Sequence, residues 1–376
     1  MKSPKYIRKL SQVPQLSSRE QQMLEPVCEK FAFRSNEYYQ SLIDWDDPND
    51  PIRRIIIPER GELKAWGHLD ASNEEKYTLF PGLEHKYEYT ALLLVNDICG
   101  GYCRFCFRKR IFMNEKDEIA KDVSQGVEYI RSQKDITNVL LTGGDPLVLS
   151  TKKLENIVRQ LSEIDHLKII RIGTKMPAFN PFRILNDPSL LEMIQKYSTP
   201  ERRFYIMAHF NHPRELTNEA VRAMHLLQKA GATTVNQTPL IKGVNDKPVV
   251  LAELFRKLSY IGVPPYYVFQ CRPTLGNFSF SVRLERAIEV FEQARMKCSG
   301  LAKRARFVMS HKTGKIEIVG KTEKYVFMRY HRSANPEEKS KFMILKSNPT
   351  AHWFDDYELV DEYVFENPFL KFSIAF

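Results

Sequence analysis

Six short apolar segments dominate the middle of the chain, and after the first they recur about every thirty residues. They are rich in Val, Ile, Leu and Tyr, and they begin at Ala91, Asn138, Lys168, Arg203, Thr233 and Pro264. Between them lie segments with helical periodicity. Ser150 or Thr151 is a cap for one of these helices, and Thr217 and Gly231 are the start and stop signals of another. This alternation predicts a parallel sheet with helices outside, either doubly wound or rolled toward a barrel.

Six strand and helix units favour an incomplete barrel. We therefore predict an α/β fold with a partial (βα)6 TIM-like barrel at residues 86–290, preceded by a helical N-terminal extension at residues 1–85 and followed by a C-terminal segment at residues 291–376. Polar residues mark the C-terminal ends of the strands, as in TGGDP, GTK, HFNHP, NQTPL and QCRP. Because loops at this rim build the active sites of parallel barrels, we expect the chemistry there.

The overall composition excludes several classes of protein. Apolar residues make up 43% and charged residues 27%, as in ordinary globular proteins. No segment approaches the roughly 18 apolar residues that a membrane span needs, and no apolar stretch follows the basic N-terminus, so we expect a cytoplasmic protein. The net charge of +10 would attract nucleic acid, an anionic cofactor or acidic substrates. Lys and Arg are spread along the chain without a run of five, which disfavours a dedicated nucleic-acid surface.

Three of the six cysteines, Cys99, Cys103 and Cys106, form a CxxxCxxC motif directly after the first predicted strand. The others are scattered, which is not the pattern of a disulfide framework. Three thiolates in one loop are able to hold three irons of a cubane cluster and to leave the fourth iron open, whereas clusters that only carry electrons normally have four. The alternatives are zinc, which usually takes four ligands in CxxC pairs, and three buried thiols.

The neighbours of these cysteines suit a cluster. Gly100 and Gly101 let the loop wrap tightly, and an aromatic residue before Cys106 shields it. Arg104 and the basic run at residues 108–110 offset negative charge. The loop is therefore predicted to hold a [4Fe-4S] cluster with one open iron.

The CxxxCxxC spacing with an aromatic residue before the last cysteine resembles the radical S-adenosylmethionine (SAM) superfamily. The resemblance implies that the open iron chelates the amino and carboxyl groups of SAM. Reduction by a donor such as flavodoxin or ferredoxin would then yield a 5′-deoxyadenosyl radical that abstracts hydrogen. It also implies a glycine-rich SAM contact at the end of the next strand, where Gly143, Gly144 and Asp145 lie.

Six motifs occur in an order that resembles the lysine 2,3-aminomutase family over about residues 85–320: YCRFCFRKR, LTGGDPLVLS, RIGTK, HFNHPREL, VNQTPLIKGVND and PYYVFQC. This resemblance implies an isomerase that uses the cluster, SAM and pyridoxal phosphate (PLP) to move an amino group between adjacent carbons of an amino acid. Carried over by position, it implies that Arg108 holds the substrate carboxylate. It likewise implies that His209 and Gln237 contact SAM.

The lysine that carries PLP in this family follows a glycine-rich turn, and its best counterpart here is Lys315 in KTGK, preceded by Gly314. Such a lysine must lose its proton to form a Schiff base. Lys312 and Lys303 are fallback candidates, and the alternative is a solvated lysine in a basic turn. The sequence departs from the family in its shortened glycine run and in Thr90, where the family places an arginine.

Two further departures concern the substrate. Lysine-specific members use two aspartates to grip the distal ammonium, and those places hold Arg272 and Ser310 here. An arginine disfavours a buried ammonium but pairs with a carboxylate through a bidentate fork. We therefore expect an acidic or otherwise anionic amino acid rather than free lysine. The alternative is a structural Arg272 paired with a rim carboxylate such as Asp246.

The zinc cysteines that the family carries near its C-terminus are missing, because no cysteine follows Cys298, so no zinc site is predicted. We expect a homo-oligomer that forms through the aromatic tail or the N-terminal helices. Two other functions stay open. One is a radical SAM enzyme without PLP that abstracts hydrogen from an amino acid held by Arg108 and Arg272 alone. The other is a non-catalytic iron–sulfur or nucleic-acid-binding protein.

Overall fold

The computed structural model of the protein describes residues 2–113, 118–120 and 122–360. Its N-terminal part contains three helices, several 3₁₀ turns and four short strands. Ser17 begins the first helix by accepting a hydrogen bond from the Glu20 amide, and Asp50 caps the third. The elements are β1 (Tyr6–Ile7), α1 (Ser18–Lys30), β2 (Ser35–Asn36), α2 (Glu37–Gln40), α3 (Pro51–Ile56), β3 (Thr78–Phe80) and β4 (Leu83–Tyr87).

The central part repeats strand and helix six times. Each of the six strands begins within one residue of its predicted position, and at least one helix follows each of them. The elements are β5 (Thr90–Asn96), α4 (Ser124–Ser132), β6 (Asn138–Gly143), α5 (Thr151–Ser162), β7 (Ile169–Thr174), α6 (Met176–Phe179), α7 (Phe182–Leu185), α8 (Pro188–Tyr197), β8 (Arg203–Ala208), α9 (Asn218–Lys229), β9 (Thr233–Leu240), α10 (Pro248–Tyr260), β10 (Pro265–Gln270) and α11 (Leu284–Met296).

Four more strands complete the sheet, in which β3 to β14 lie side by side in chain order. They are β11 (Arg306–His311), β12 (Gly314–Lys321), β13 (Tyr325–Ser333) and β14 (Phe342–Lys346). Strands β5 to β11 are parallel, and the flanking strands are antiparallel. Because the parallel strands follow one another in chain order, the right-handed crossovers that are general for such units place the connecting helices on one face, and the sheet curls into a partial barrel. The predicted fold class is confirmed, while the division into three parts stays a prediction.

Side chains bridge the two ends of the curled sheet. Lys86 Nζ on β4 donates to the His311 carbonyl on β11 at 2.7 Å. Arg332 Nη2 on β13 donates to Thr90 Oγ1 on β5 at 2.9 Å. The first and the last strands of the barrel therefore face the same interior.

Strand β7 illustrates how the two faces of the sheet differ. Ile170 and Ile172 are fully buried against the helices, whereas Arg171 and Gly173 alternate with them and face the barrel interior. Burying each aliphatic side chain of this kind contributes about 1.5–3 kcal/mol relative to leaving it exposed. The apolar face thus holds the barrel together and leaves the inner face to polar residues.

The predicted helix signals are present. Ser150 and Thr217 accept hydrogen bonds from backbone amides in the first turns of α5 and α9, and α9 ends two residues before Gly231. In the described part of the chain, no helix has both the length and the apolar character needed to cross a membrane.

Candidate active site

A cavity of about 330 Å³ lies inside the partial barrel at the C-terminal ends of its strands. Both ends of the sheet contribute to its wall. All twelve residues predicted from the sequence as site residues line it: Cys99, Cys103, Cys106, Arg108, Gly143, Gly144, Asp145, His209, Gln237, Arg272, Ser310 and Lys315.

The three motif cysteines lie on the loop that follows β5. This loop packs closely, because a Cβ on Gly100 would lie 2.6 Å from the Met176 sulfur. Burial raises the pKa of all three thiols, to about 12 for Cys103. They are therefore protonated on their own at neutral pH, and binding iron would release their protons.

The donor set of this loop fits an iron–sulfur cluster with one open iron. In a cubane cluster each thiolate binds a different iron, so the three sulfurs need not converge on one point. Within the described ranges no three His, Cys, Asp or Glu side chains are grouped to hold a single metal ion. Cys271 also lines the cavity, but it follows β10, with its sulfur 3.9 Å from the Arg272 carbonyl.

Gly143 and Gly144 allow the end of β6 to pack against the residues that lead into the cysteine loop. Gly143 has a φ of +104°, and a Cβ there would lie 2.5 Å from the Asn96 carbonyl oxygen. A Cβ on Gly144 would lie 2.6 Å from the Ile98 nitrogen. The two glycines of the GGD motif therefore have a structural role, because they let the cysteine loop pack beside β6. The SAM contact expected of this motif would be a second role.

The carboxylate of Asp145 is occupied by donors of its own chain. It accepts hydrogen bonds from Thr174 Oγ1 at 2.8 Å, from the Lys175 amide at 2.7 Å and from the Leu147 amide at 3.0 Å. Burial raises its pKa to about 6, although these hydrogen bonds favour the charged form. Asp145 thus fastens the end of β6 to the end of β7, and a direct contact to SAM stays a prediction.

His209 lies beside a buried ion pair. Lys175 Nζ donates to the His209 carbonyl at 2.9 Å and is paired with Glu215 at 2.5 Å. Burial and the nearby Lys175 charge lower the pKa of His209 to about 3. Its imidazole is therefore neutral at physiological pH. Gln237 reaches the same cavity from β9.

Arg108 already holds a carboxylate. Its Nε and Nη2 donate to the two oxygens of Glu74 at 3.0 and 2.9 Å, and Nη2 lies 3.4 Å from Glu84. Burial alone would raise the pKa of Glu74, but Arg108 and Arg110 hold it well below its ordinary value. Glu74 belongs to the connection before β3, and no local motif marks it in the sequence.

The basic residues around the cysteines are also paired. Arg104 Nε and Nη2 donate to Glu62 at 2.9 and 2.8 Å, and both side chains are at most 2% exposed. Arg110 pairs with Glu118 at 2.9 Å as well as with Glu74. Lys109 differs, because its Nζ donates to the Arg104 carbonyl at 3.0 Å. That these basic residues offset the charge of a cluster stays a prediction.

Lys315 lies on β12 with its amine over two aromatic rings. Its Nζ is 4.1 Å from the ring centroid of Tyr267 and 5.2 Å from that of Phe269. Burial, followed by the charges of Arg332 and Arg171, lowers the pKa of this amine well below its ordinary value. A lowered pKa makes the amine lose its proton more readily, which Schiff-base chemistry requires.

The two fallback lysines lie elsewhere. Lys312 and Lys303 are exposed and do not line the cavity, and Lys312 is 3.5 Å from Asp355.

Arg272 stacks on an aromatic ring and has only a loose carboxylate neighbour. Its guanidinium carbon is 3.6 Å from the ring centroid of Phe107, and Nη1 is 3.8 Å from a Glu74 oxygen. That buried Nη1 has no hydrogen-bond partner. The alternative pairing with Asp246 is wrong, because the Asp246 carboxylate turns back to accept the Gly243 amide at 2.9 Å and does not reach the cavity.

Comparisons with known proteins agree with this site. Residues 93–255 match the family described as "Radical SAM superfamily". The chain is 60% identical over 364 residues to a protein of Aquifex aeolicus named "Putative L-lysine 2,3-aminomutase", covering 96% of this chain and 97% of that one. The chain belongs to the lysine 2,3-aminomutase family of radical SAM enzymes. The predicted family is confirmed.

The relatives in this aminomutase family are named for different substrates. The chain is 38% identical to L-lysine 2,3-aminomutase of Clostridium subterminale, over 78% of this chain and 70% of that one. It is 35% identical to glutamate 2,3-aminomutase of Clostridioides difficile, over 78% of this chain and 68% of that one. Membership makes the protein a radical SAM aminomutase and implies the [4Fe-4S] cluster, SAM and an amino acid substrate. The non-catalytic alternative is thereby excluded, while the particular substrate stays open.

Four cationic residues of this aminomutase cavity were missed from the sequence: Lys86, Arg171, Lys175 and Arg332. Arg171 could have been found, because it alternates with two isoleucines in β7 and must face inward. Arg332 comes from β13, and only the closure of the sheet brings it to the cavity.

Proposed function

We propose that the protein moves an amino group between adjacent carbons of an amino acid whose side chain carries a negative charge, with PLP held on Lys315. Arg272 carries the proposal for the substrate. Its guanidinium is buried over Phe107, lines the cavity and leaves Nη1 without a hydrogen-bonded partner. A substrate carboxylate would supply that partner, whereas an ammonium would add a like charge at the same place.

The charges of the whole cavity support the same choice. Apart from Lys175, which pairs with Glu215, and Lys315, whose pKa is lowered, five basic side chains and three carboxylates line it: Lys86, Arg108, Arg171, Arg272 and Arg332 against Glu74, Glu84 and Asp145. Burial and the Glu74 charge raise the pKa of Glu84 to about 7, which further reduces the negative charge at neutral pH. Anionic ligands are therefore favoured inside this cavity.

Arg108 is proposed to bind the α-carboxylate of the substrate. Glu74 now occupies two of its nitrogens in the bidentate geometry that a substrate carboxylate would use. Glu74 also neighbours Arg110 and Arg272, so it retains partners if a substrate carboxylate replaces it on Arg108. Glu74 thus keeps Arg108 paired until a substrate arrives.

Lys315 is proposed to attach PLP through its amine, whose pKa is well below its ordinary value. When bound, SAM on the open iron supplies a carbon radical, and PLP supplies a carbonyl that condenses with amines. The rings of Tyr267 and Phe269 bury the Lys315 amine, and this burial together with the neighbouring positive charges lowers its pKa. A flavodoxin or ferredoxin as electron donor and a homo-oligomeric assembly stay predictions.

The experiment compares glutamate with lysine as substrates of the anaerobically reconstituted enzyme. We expect a kcat/KM for glutamate at least about tenfold above that for lysine, since tenfold corresponds to about 1.4 kcal/mol of differential binding. Arg272→Asp should reverse this preference, and the control Arg222→Asp, exposed on α9, should leave it unchanged.

Lysine as the better substrate, with no gain in lysine turnover for Arg272→Asp, would overturn the substrate assignment. Amino migration at full rate in enzyme free of PLP would overturn the role of Lys315.

A further inference from the structure

Two arginines inside the barrel have no carboxylate partner among the described residues. Arg171 on β7 lines the cavity, makes no side-chain hydrogen bond to the described part of the chain, and has a buried, unpartnered Nε. Burial lowers its pKa to about 10, so it still carries a charge at neutral pH. A buried and unpaired cation is costly, which points to an anionic ligand.

Arg332 reaches the same region from β13. Its guanidinium carbon is 4.2 Å from the ring centroid of Tyr87, and its Nη2 donates to Thr90 Oγ1 at 2.9 Å. Both contacts are with neutral groups. The hydrogen bond joins β13 to β5, so the closure of the sheet brings this guanidinium into the barrel.

Arg332 is the register partner of Lys315 on the neighbouring strand, and Arg171 lines the same cavity. After burial, their charges are the largest causes of the lowered pKa of that amine, and Arg272 and Lys86 add to the same effect. Several positive charges therefore crowd one point of the cavity. A ligand with a single negative charge would leave part of this charge unbalanced, whereas a phosphate monoester carries about −1.5 to −2 at neutral pH.

We propose that Arg171 and Arg332 form a phosphate-binding subsite beside Lys315, and that it holds the phosphate group of PLP. This inference rests on the proposed attachment of PLP to Lys315 and adds the residues that recognise the other end of the cofactor. The planar guanidinium forks suit phosphate oxygens, and Arg332 is already oriented by Tyr87 and Thr90. Lys86, whose Nζ is fixed by the His311 carbonyl, adds positive charge at the edge of the subsite.

The first test compares PLP with pyridoxal, which lacks the phosphate, by absorbance titration of the cluster-containing protein. The wild type should bind PLP more tightly than pyridoxal. Arg171→Gln and Arg332→Gln should each weaken PLP binding about tenfold or more, a loss of at least about 1.4 kcal/mol, and leave pyridoxal binding nearly unchanged. The matched control is Arg329→Gln on the same strand, because Arg329 pairs with Glu317 outside the cavity. Unchanged cluster absorbance verifies that each variant is folded.

The second test uses inorganic phosphate alone, before PLP is added. Phosphate should raise the Tm of the wild type and of Arg329→Gln relative to chloride at equal ionic strength, and the double variant of Arg171 and Arg332 should lose this response. An equal response in the double variant, or an unchanged preference for PLP over pyridoxal in the single variants, would overturn the subsite. An arginine-dependent phosphate response without any binding of PLP would support the subsite and overturn the attachment of PLP to Lys315.

Discussion

Two walls of the same cavity differ in whether their basic side chains are paired with carboxylates. On the cysteine wall, formed by residues 99–108 and the end of β6, Arg104 and Arg108 are bound bidentately by carboxylates of the chain. On the lysine wall, formed by Arg171, Arg272, Lys315 and Arg332, no basic side chain has a carboxylate within hydrogen-bond distance among the described residues. The arginines of the cysteine wall therefore have counter-charges within the chain, whereas the basic residues of the lysine wall do not.

The difference indicates what each wall needs in order to form. Pairing within the chain fixes the cysteine wall before any cofactor binds. The lysine wall keeps an unfavourable repulsion that anionic ligands would relieve, so those ligands should stabilise the protein when they bind. The cysteine wall is thus prepared for the cluster and SAM, and the lysine wall for an anionic cofactor and substrate.

The variant with the largest expected effect should abolish amino migration and leave SAM cleavage intact. Lys315→Ala should lose the visible absorbance that PLP gives the wild type and should lose amino migration entirely, because it removes the amine that is proposed to carry PLP. The same variant should still release deoxyadenosine from SAM, because the cysteine wall is intact. The measurement pairs a PLP absorbance titration with deoxyadenosine quantification, and Lys312→Ala is the control. Full PLP absorbance in Lys315→Ala would contradict the assignment.

The next effect concerns the stability of the cysteine wall. Glu62→Gln should lower the free energy of unfolding by about 3–5 kcal/mol, because it leaves the buried Arg104 charge without a counter-ion. Glu163→Gln is the matched control, since the Glu163 pair with Arg159 is half exposed on α5 and should contribute almost nothing. Urea unfolding of both variants measures the difference. Equal losses in the two would show that the pairing of Arg104 does not stabilise this wall.

The sequence predicted the features whose signals are local. The cysteine motif lies within eight residues, and a short apolar run marks each of the six predicted barrel strands. The loop, the strands and the rim could therefore be located without the structure. Lys315 was found through a resemblance that extends over a few residues. For these features the residues that act together are also close together in the sequence.

The partners of the site residues could not be predicted in this way. Glu74 lies 34 residues before Arg108, and Glu62 lies 42 residues before Arg104, with no motif around either acid. Arg332 reaches Thr90 across 242 residues because the sheet curls. Such pairs form only when the chain folds and the sheet curls, and a local sequence pattern contains no information about them.

The smallest expected effect tests the repulsion on the lysine wall directly. Before PLP is added, Lys315→Met should raise the free energy of unfolding by about 1–3 kcal/mol at pH 7, because an apolar side chain replaces a buried amine among cations. The unfolded lysine binds a proton up to its ordinary pKa of 10.5, whereas the folded one has lost it at a much lower pH.

Between these two pKa values the unfolded state binds more protons, so the stability of the wild type rises with pH, and the advantage of Lys315→Met should shrink as the pH approaches 10.5. Urea unfolding at pH 7 and pH 10 measures this change, with the exposed Lys312→Met as the control. An advantage that is absent at pH 7, or that grows with pH, would mean that Lys315 keeps its proton in the folded protein. The lysine wall would then contain a counter-charge for it, and the contrast between the two walls would disappear.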